Sequence, residues 1–253
     1  QRAESADPLA ERYRRFQALV NNKDLWEARN MRAFLMTPRE EFVLPRNLPR
    51  AYEHAFLDIG YGVTISGPHL VGRMTSIIDV KMGEKVLEVG TGSGYQSAYL
   101  ANLTDKVWTV EIIKPLAQRT RSIYDKLIAR GYGEYQAIQS KNADGYYGWA
   151  EAGPFDKIIV TCGIDHIPPP LLQQLKVGGR LGFIVSNKWL RGGYAEALRA
   201  HLAQQCVIET LVDFGHAPIF PDADAFPCII TLRKLLPKPD TAVRVTIYPR
   251  EEL

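Results

Sequence analysis

The sequence predicts an α/β protein with a doubly wound, mostly parallel sheet, preceded by a helical extension. From Lys85 onward, short β-branched segments alternate with helical segments, which is the pattern of right-handed βαβ units. Residues 1–60 are instead charged, punctuated by proline and helical in their periodicity. We therefore expect a helical extension over residues 1–60 and one α/β domain over residues 61–253.

Local patterns place the individual elements. Asp7-Pro8 has the form of an N-cap followed by proline at the first helical position, so a helix is expected to begin there. Further helices are expected over residues 26–36, 68–79, 95–102, 115–130 and 168–175. Strands are expected over residues 85–89, 106–111, 135–140, 155–162, 179–185, 205–213, 228–233 and 243–248.

Composition excludes several classes of protein. The 253 residues carry 31 Lys and Arg against 28 Asp and Glu, and this net charge of +3 is too small to indicate a nucleic-acid-binding surface. No apolar segment approaches the roughly 18 residues of a membrane span. Cys162, Cys206 and Cys228 are odd in number and far apart, so we expect neither a disulfide framework nor a metal site. Because the chain begins at Gln1 and not at Met, export after processing stays an open alternative.

The most informative segment is a glycine-rich turn between a buried strand and a helix, with the sequence VLEVGTGSGY over residues 86–95. Glycine is needed where the backbone turns with positive φ and where a ligand approaches the main chain. Glu88 precedes the turn, and Glu111 ends the next strand, where a carboxylate can accept hydrogen bonds from ribose hydroxyls. The G-x-G-x-G spacing differs from the dinucleotide pattern G-x-G-x-x-G, which disfavours an NAD-dependent dehydrogenase.

The E-x-G-x-G-x-G pattern resembles the first motif of class I S-adenosylmethionine-dependent methyltransferases. Asn142-Ala-Asp-Gly145 resembles their adenine-contacting turn, although Asp-Gly by itself is equally typical of a surface β-turn. The resemblance implies a Rossmann-like class I methyltransferase fold, with S-adenosyl-L-methionine as cofactor. The residues that it implies in cofactor binding are Glu88, Gly90, Thr91, Gly92, Ser93, Gly94, Glu111, Asp144 and Gly145.

A second segment, Thr64-Ile-Ser-Gly-Pro68, places a hydroxyl directly before an expected helix. A helix N-terminus offers free N–H groups and a partial positive charge, which suits a carboxylate ligand. From this pattern alone, Ser66 as a plain helix cap is the more frequent interpretation.

Six segments together resemble protein-L-isoaspartate O-methyltransferases, in consistent order and over about residues 30–182. They are AYEHA at 51–55, DIGYGVTISGPH at 58–69, VLEVGTGSGYQ at 86–96, DGYYGW at 144–149, FDKIIVT at 155–161 and the stretch from 166 to 181. Asp58 is a departure, because the family usually has proline there and aspartate adds a charge near the acceptor loop.

The resemblance implies an enzyme of protein repair, a carboxyl methyltransferase acting on the free α-carboxylate of L-isoaspartyl residues in damaged proteins and peptides. It implies Ser66 as the active-site hydroxyl, and Ile59, Thr64, Ile65 and His69 in substrate binding. It also favours a cytoplasmic monomer, with no membrane and no nucleic acid among its partners.

After Leu181 the similarity to this family ends. Segments at residues 183–194, 213–215, 218–223 and 226–230 resemble the C-terminal part of adenine-specific DNA methyltransferases instead. We therefore interpret the chain as a chimera whose residues 183–253 are atypical of the first family. If the two parts join in the fifth strand, residues 179–185 should lie beside residues 155–162. Residues 228–233 should then run antiparallel to their neighbour, with Val185 and Ile230 buried.

Adenine-specific DNA methylation is the alternative function. It requires an Asn/Asp-Pro-Pro-aromatic motif after the fourth strand, where this chain has Thr161-Cys-Gly-Ile164. Residues 179–253 carry nine Lys or Arg and eight Asp or Glu, so no basic stripe compensates. A catalytically impaired cofactor-binding module is the third interpretation, because the far wall of the peptide site would lie in the unmatched tail.

Overall fold

The structure is a computed structural model that describes residues 7–164, 166–215 and 227–247. It contains two compact units, Gln1–Asp144 and Gly145–Leu253. The expected alternation of strands and helices is confirmed in both. The sequence segment at residues 218–223 lies outside the described residues, as does Phe226. The domain boundary expected near residue 60 stays a prediction.

The first unit combines helices with three parallel strands and a small hairpin. Its helices are α1 (Pro8–Asn21), α2 (Ala28–Met36), α3 (Pro68–Ile78), α4 (Tyr95–Ala101) and α5 (Lys114–Ala129). Its strands are β1 (Leu57–Gly60), β2 (Val63–Ile65), β3 (Val86–Val89), β4 (Val107–Glu111) and β5 (Ile138–Asn142). Strands β3, β4 and β5 pair in parallel in this order, and β1 pairs antiparallel with β2.

The N-terminal helices belong to the core of this unit. Helix α1 begins where the sequence predicts, because the Asp7 side chain accepts the N–H of Leu9 at 3.0 Å. Helix α2 buries Phe34 completely and packs against α3 and α4. The Tyr99 hydroxyl in α4 donates to the backbone oxygen of Asn30 at 2.8 Å, which fixes α2 to the α/β part of the unit.

The parallel strands place the functional segments at one edge. Every residue of β3 is buried, as expected for a parallel strand that is covered on both faces. Glu88 is in register with Thr109, and Glu111 with Asn142. The carboxyl ends of the three strands therefore meet at the same edge, where open α/β sheets bind their ligands.

One expected strand begins later than predicted. Residues 135–140 were expected as a strand, but Gly133–Ala137 forms a 3₁₀ helix and β5 begins at Ile138. The Tyr135 side chain is fully buried and its ring stacks on that of Tyr132, with centroids 5.5 Å apart. Aromatic packing thus overrides the β propensity of this segment.

The described part of the second unit contains five paired strands and two α-helices. The helices are α6 (Pro169–Gln174) and α7 (Glu196–Gln205). The strands are β6 (Phe155–Val160), β7 (Leu175–Ser186), β8 (Val207–Asp213), β9 (Pro227–Arg233) and β10 (Arg244–Ile247). Strand β7 pairs in parallel with β6 and antiparallel with β9, which is also antiparallel to β8. Strand β10 pairs in parallel with β8.

The predicted junction is confirmed inside this unit. Phe183 of β7 pairs with Val160 of β6 on one side and with Ile230 of β9 on the other. Val185 is 7% exposed and Ile230 is fully buried. The atypical tail therefore completes a sheet and is not an appendage to one.

Candidate functional site

The glycine loop leaves the carboxyl end of β3 and turns into α4. Gly90, Gly92 and Gly94 all have positive φ, at 96°, 53° and 89°, a conformation that residues with a Cβ rarely adopt. At Gly94 space is also limiting, because a Cβ there would lie 2.5 Å from Cγ2 of Thr120. Ser93 steadies the entry to α4, where its Oγ accepts the N–H of Tyr95 at 3.3 Å.

The Glu111 carboxylate closes the loop from the end of β4. Its Oε2 accepts the N–H of Gly92 at 2.8 Å, and its Oε1 accepts the N–H of Ile113 at 2.9 Å. From the end of β5, Asn142 Nδ2 donates to the backbone oxygens of Glu111 at 2.7 Å and Ile112 at 3.1 Å. Hydrogen bonds to the buried Glu111 thus join the loop that follows β3 to the ends of β4 and β5.

A groove of about 460 Å³ opens beside this carboxylate. Thr91 and Glu111 line it together with residues of α5 and β5, among them Lys114, Gln139 and Asn142. The volume lies within the range of small-molecule sites. A carboxylate at its wall can accept hydrogen bonds from ribose hydroxyls, which fits the chemistry of an adenosine-containing cofactor.

Glu88, in the strand that precedes the loop, is linked to the loop by hydrogen bonds. It is fully buried, and its Oε2 accepts hydrogen bonds from Ser97 and, at 2.6 Å, from Thr109. The Thr109 and Thr91 hydroxyl oxygens are also 2.6 Å apart, so a chain of hydroxyls links Glu88 to the loop. Burial raises the pKa of Glu88 to about 8, so the carboxyl is largely protonated at neutral pH.

The β1–β2 hairpin brings the acceptor segment to the glycine loop. The Ile59 side chain is 1% exposed, and its Cδ1 lies 3.7 Å from the position that a Cβ on Gly92 would take. In β2, Thr64 is exposed and Ile65 is buried. The structure therefore places the two segments singled out from the sequence next to each other.

Ser66 follows β2 and is half-buried. The N-cap of α3 is Gly67, and no side chain caps this helix, so the interpretation of Ser66 as a plain cap is wrong. Among the described residues, none forms a hydrogen bond with the half-buried Ser66 hydroxyl.

His69 lies behind this segment in the first turn of α3. Its ring stacks on that of the exposed His54, with centroids 3.6 Å apart. Burial lowers the pKa of His69 to about 3, assisted by the nearby His54 and by arginines at 15, 39 and 73. His69 is thus neutral at physiological pH. Gly67 has to be glycine here, because a Cβ would collide with Cε1 of His69.

Comparison with known proteins decides the family. The profile of the protein-L-isoaspartate(D-aspartate) O-methyltransferase family matches residues 13–191. The chain belongs to this family. A second profile, that of the Eco57I restriction-modification methylases, matches residues 171–220. The overlap at residues 171–191 contains all of β7, the strand in which the sequence predicts the junction.

Curated relatives in this isoaspartyl methyltransferase family align with about two thirds of the chain. Protein-L-isoaspartate O-methyltransferase 2 of Polaromonas sp. is 48% identical over 159 residues, which is 63% of this chain and 72% of that protein. Protein-L-isoaspartate O-methyltransferase 1 of Cupriavidus necator is 44% identical over 164 residues, which is 65% of this chain and 61% of that protein.

Solved structures share the class I methyltransferase fold. A protein-L-isoaspartate O-methyltransferase structure superposes with a TM-score of 0.60 at 23% identity, covering 90% of this chain and 88% of the other. A putative protein-L-isoaspartate O-methyltransferase from Plasmodium falciparum, in complex with S-adenosyl-L-homocysteine, gives a TM-score of 0.57 at 24% identity. It covers 68% of this chain and 82% of the other.

Asp58, the departure from the isoaspartyl methyltransferase pattern, has a structural role in the hairpin. Its Oδ1 accepts the N–H of Gly60 at 3.0 Å, and its other oxygen pairs with Arg46. The added charge is therefore paired with a neighbouring arginine. The Asp58 side chain stabilises the turn by a hydrogen bond, where the proline usual in the family would restrict the backbone instead.

Two further cofactor residues predicted for the methyltransferase lie after β5. Asp144 is exposed at the end of the first unit, and Gly145 begins the short 3₁₀ helix Gly145–Tyr147 in the second. Ile112, an apolar residue that is 64% exposed directly after Glu111, was not among the residues predicted from the sequence. An exposed apolar side chain that follows a carboxylate at the carboxyl end of a parallel strand is the sequence feature that makes it a candidate for cofactor binding.

Within the described ranges, no three metal-binding side chains are grouped to hold an ion. The same residues include no helix that is both long and apolar enough to span a bilayer.

The protonated state of Glu88 predicts a pH dependence of stability. The pKa is raised from 4.5 to about 8 in the folded protein, so the stabilisation is complete below pH 4.5 and is lost as the pH rises toward 8. We expect the free energy of unfolding, measured by urea denaturation, to fall over this range by at most about 1.4 kcal/mol per pH unit. Glu88→Gln should flatten this slope, because glutamine stays neutral.

Glu53→Gln is the matched control, because Glu53 is exposed at the surface. This variant should keep the wild-type slope. An unchanged slope in Glu88→Gln would show that Glu88 is ionised in the folded protein.

Proposed function

We propose that this protein transfers a methyl group from S-adenosylmethionine to the free α-carboxylate of L-isoaspartyl residues in damaged proteins and peptides. The observation that carries the proposal is the half-buried hydroxyl of Ser66, which has no hydrogen-bond partner among the described residues, beside a hairpin whose Ile59 side chain lies close to Gly92 of the glycine loop. Membership of the isoaspartyl methyltransferase family supports the same conclusion.

The chemistry needs alignment more than acid–base assistance. An α-carboxylate is already ionised at pH 7, so no general base has to activate it. When bound, S-adenosylmethionine supplies a methyl carbon whose bond to the sulfonium sulfur breaks as a carboxylate oxygen bonds to it. The protein has to hold the carboxylate in line and exclude water.

Ser66 is the proposed catalytic residue. Its hydroxyl donates a hydrogen bond to one carboxylate oxygen and leaves the other oxygen free to react. The exposed Thr64 and the buried Ile65 form the proposed peptide slot with Ile59. The neutral ring of His69 adds no charge that would pull the carboxylate away from Ser66.

The proposed cofactor contacts follow from the convergence of the strand ends. Glu111 binds the ribose hydroxyls, the loop backbone from Gly90 to Gly94 accommodates the amino-acid part, and Ile112 covers one face of the adenine. Thr91 and Ser93 lie in the loop itself, and Glu88 supports it through Thr109. Asp144 and Gly145 are the proposed adenine contacts. A monomeric state and a cytoplasmic location remain proposals that rest on family resemblance.

DNA adenine methylation is the second candidate, favoured by the match of residues 171–220 to the Eco57I methylases. This match begins only after the strand end that would carry the catalytic motif of such enzymes. There the chain has Thr161-Cys-Gly-Ile164, which lacks the amide or carboxylate that accepts the adenine amino hydrogens. We therefore propose that the second unit completes the fold and does not methylate DNA.

One assay with labelled S-adenosylmethionine separates these functions. We expect base-labile methyl ester on an isoaspartyl peptide, and little or none on the matching aspartyl peptide or on duplex DNA. Activity should be weak compared with relatives that have the usual C-terminal hairpin, because that wall of the peptide site differs here. Label in DNA alone would favour the second candidate, and no label anywhere would favour an impaired module.

Ser66→Ala should lower turnover and leave the dissociation constant of the cofactor unchanged, because the hydroxyl meets the acceptor and not the donor. A hydrogen bond to a charged group contributes about 1.5–3 kcal/mol. If all of it is expressed in the transition state, kcat falls roughly 10- to 150-fold.

Ser76→Ala is the control for this variant, because Ser76 is a buried serine of the adjoining helix α3 whose hydroxyl has no partner among the described residues. Equal turnover in Ser66→Ala and wild type would remove Ser66 from the mechanism.

A further inference from the structure

Helix α5 holds the glycine loop by two hydrogen bonds. Thr120 Oγ1 donates to the backbone oxygen of Gly92 at 2.7 Å, and the Tyr124 hydroxyl donates to that of Gly94 at 3.2 Å. Both donors are buried, at 1% and 0% exposure. The position of the loop backbone is therefore fixed to α5.

The residue next to Thr120 holds the acceptor hairpin. Arg119 Nη2 donates to the backbone oxygen of Ile59 at 2.6 Å, across 60 residues of sequence. Its guanidinium carbon lies 5.6 Å from the centre of the Tyr61 ring, within cation–π range. Among the described residues Arg119 pairs with no carboxylate, so its donors serve the hairpin.

The hairpin needs such an external contact. Strands β1 and β2 have only four and three residues, and an isolated two-stranded hairpin is marginally stable in water. Its tip, Gly60-Tyr61-Gly62, has positive φ throughout, at 85°, 60° and 73°. For tyrosine this conformation is unfavourable, and Tyr61 is 54% exposed. The ring contact with Arg119 offsets part of that cost.

We propose that Arg119 is a positioning residue that sets the distance between the acceptor hairpin and the cofactor loop, with Tyr61 as its partner. Ile59 lies between the two sides, because its carbonyl accepts from Arg119 while its side chain lies close to Gly92. On either side of Ile59, Asp58 pairs with Thr64 and Gly60 with Val63, so a displacement at Ile59 would be passed to the strand that leads into Ser66. This inference rests on the proposed function, because the distance matters only if a carboxylate reacts at Ser66.

The test compares Arg119→Met, which keeps the apolar stem and removes every donor, with the matched variant Lys126→Met. Lys126 is an exposed basic residue of the same helix and does not line the groove beside Glu111. Arg119→Met should raise KM for the isoaspartyl peptide and lower kcat, with kcat/KM falling at least about tenfold. The dissociation constant of S-adenosylhomocysteine should stay within about twofold of wild type, because Thr120 and Tyr124 still hold the loop.

Conservative variants sharpen the result. Arg119→Lys should restore kcat/KM in part, because an ammonium can donate to the Ile59 carbonyl but does not present a planar guanidinium to the ring. Tyr61→Phe should match wild type, while Tyr61→Asn, which tolerates the backbone conformation but lacks the ring, should raise KM.

Amide hydrogen exchange tests the role of Arg119 without relying on methyl transfer. Amide exchange over residues 57–65 should accelerate at least about tenfold in Arg119→Met, and exchange in β3 and β4 should not change. If wild type methylates no peptide but this local acceleration is found, the proposed function fails and the placement by Arg119 stands. If Arg119→Met shows the exchange rates and kinetics of wild type, the inference is overturned. It is also overturned if the variant loses cofactor affinity together with protection of its amides from exchange throughout the protein.

Discussion

The backbone of Gly92 is held at both its N–H and its carbonyl oxygen, and the rest of the site depends on this constraint. The Glu111 carboxylate accepts its N–H at 2.8 Å, and the Thr120 hydroxyl donates to its oxygen at 2.7 Å. The first contact ties the loop to the carboxyl edge of the parallel strands, and the second ties it to α5. The side chain of Ile59 in the acceptor hairpin lies close to the same residue. The cofactor loop and the acceptor hairpin are therefore both positioned relative to Gly92.

Burial determines which groups of the site carry charge. Glu88 is protonated and His69 is neutral at physiological pH, because the desolvation of a charge outweighs the hydrogen bonds and neighbours available to each. Glu111 is also buried, and its two oxygens accept the N–H groups of Gly92 and Ile113. Because Glu88 and His69 carry no charge, the negative charge that reacts is that of the substrate carboxylate. This arrangement suits a methyl transfer in which no proton has to move.

Sequence reasoning succeeded where the signal is local. The strand–helix alternation, the glycine loop, the carboxylate at the end of β4 and the junction in β7 all follow from short patterns, and the structure confirms their placement. It failed where contacts are distant in sequence. Nothing near Arg119 indicates that it binds a carbonyl 60 residues away, and nothing near His54 indicates that its ring stacks on His69. The interpretation of Ser66 as a cap was wrong because Gly67 occupies that position.

Calorimetric titration with S-adenosylhomocysteine tests the central claim most directly, because the claim is that the loop and Glu111 form the cofactor site. We expect the wild-type protein to bind S-adenosylhomocysteine at one site and to show no binding of NAD. Glu111→Gln should weaken the binding at least about tenfold, because an amide oxygen accepts hydrogen bonds less strongly than a carboxylate. Absence of S-adenosylhomocysteine binding, or comparable binding of NAD, would contradict the account.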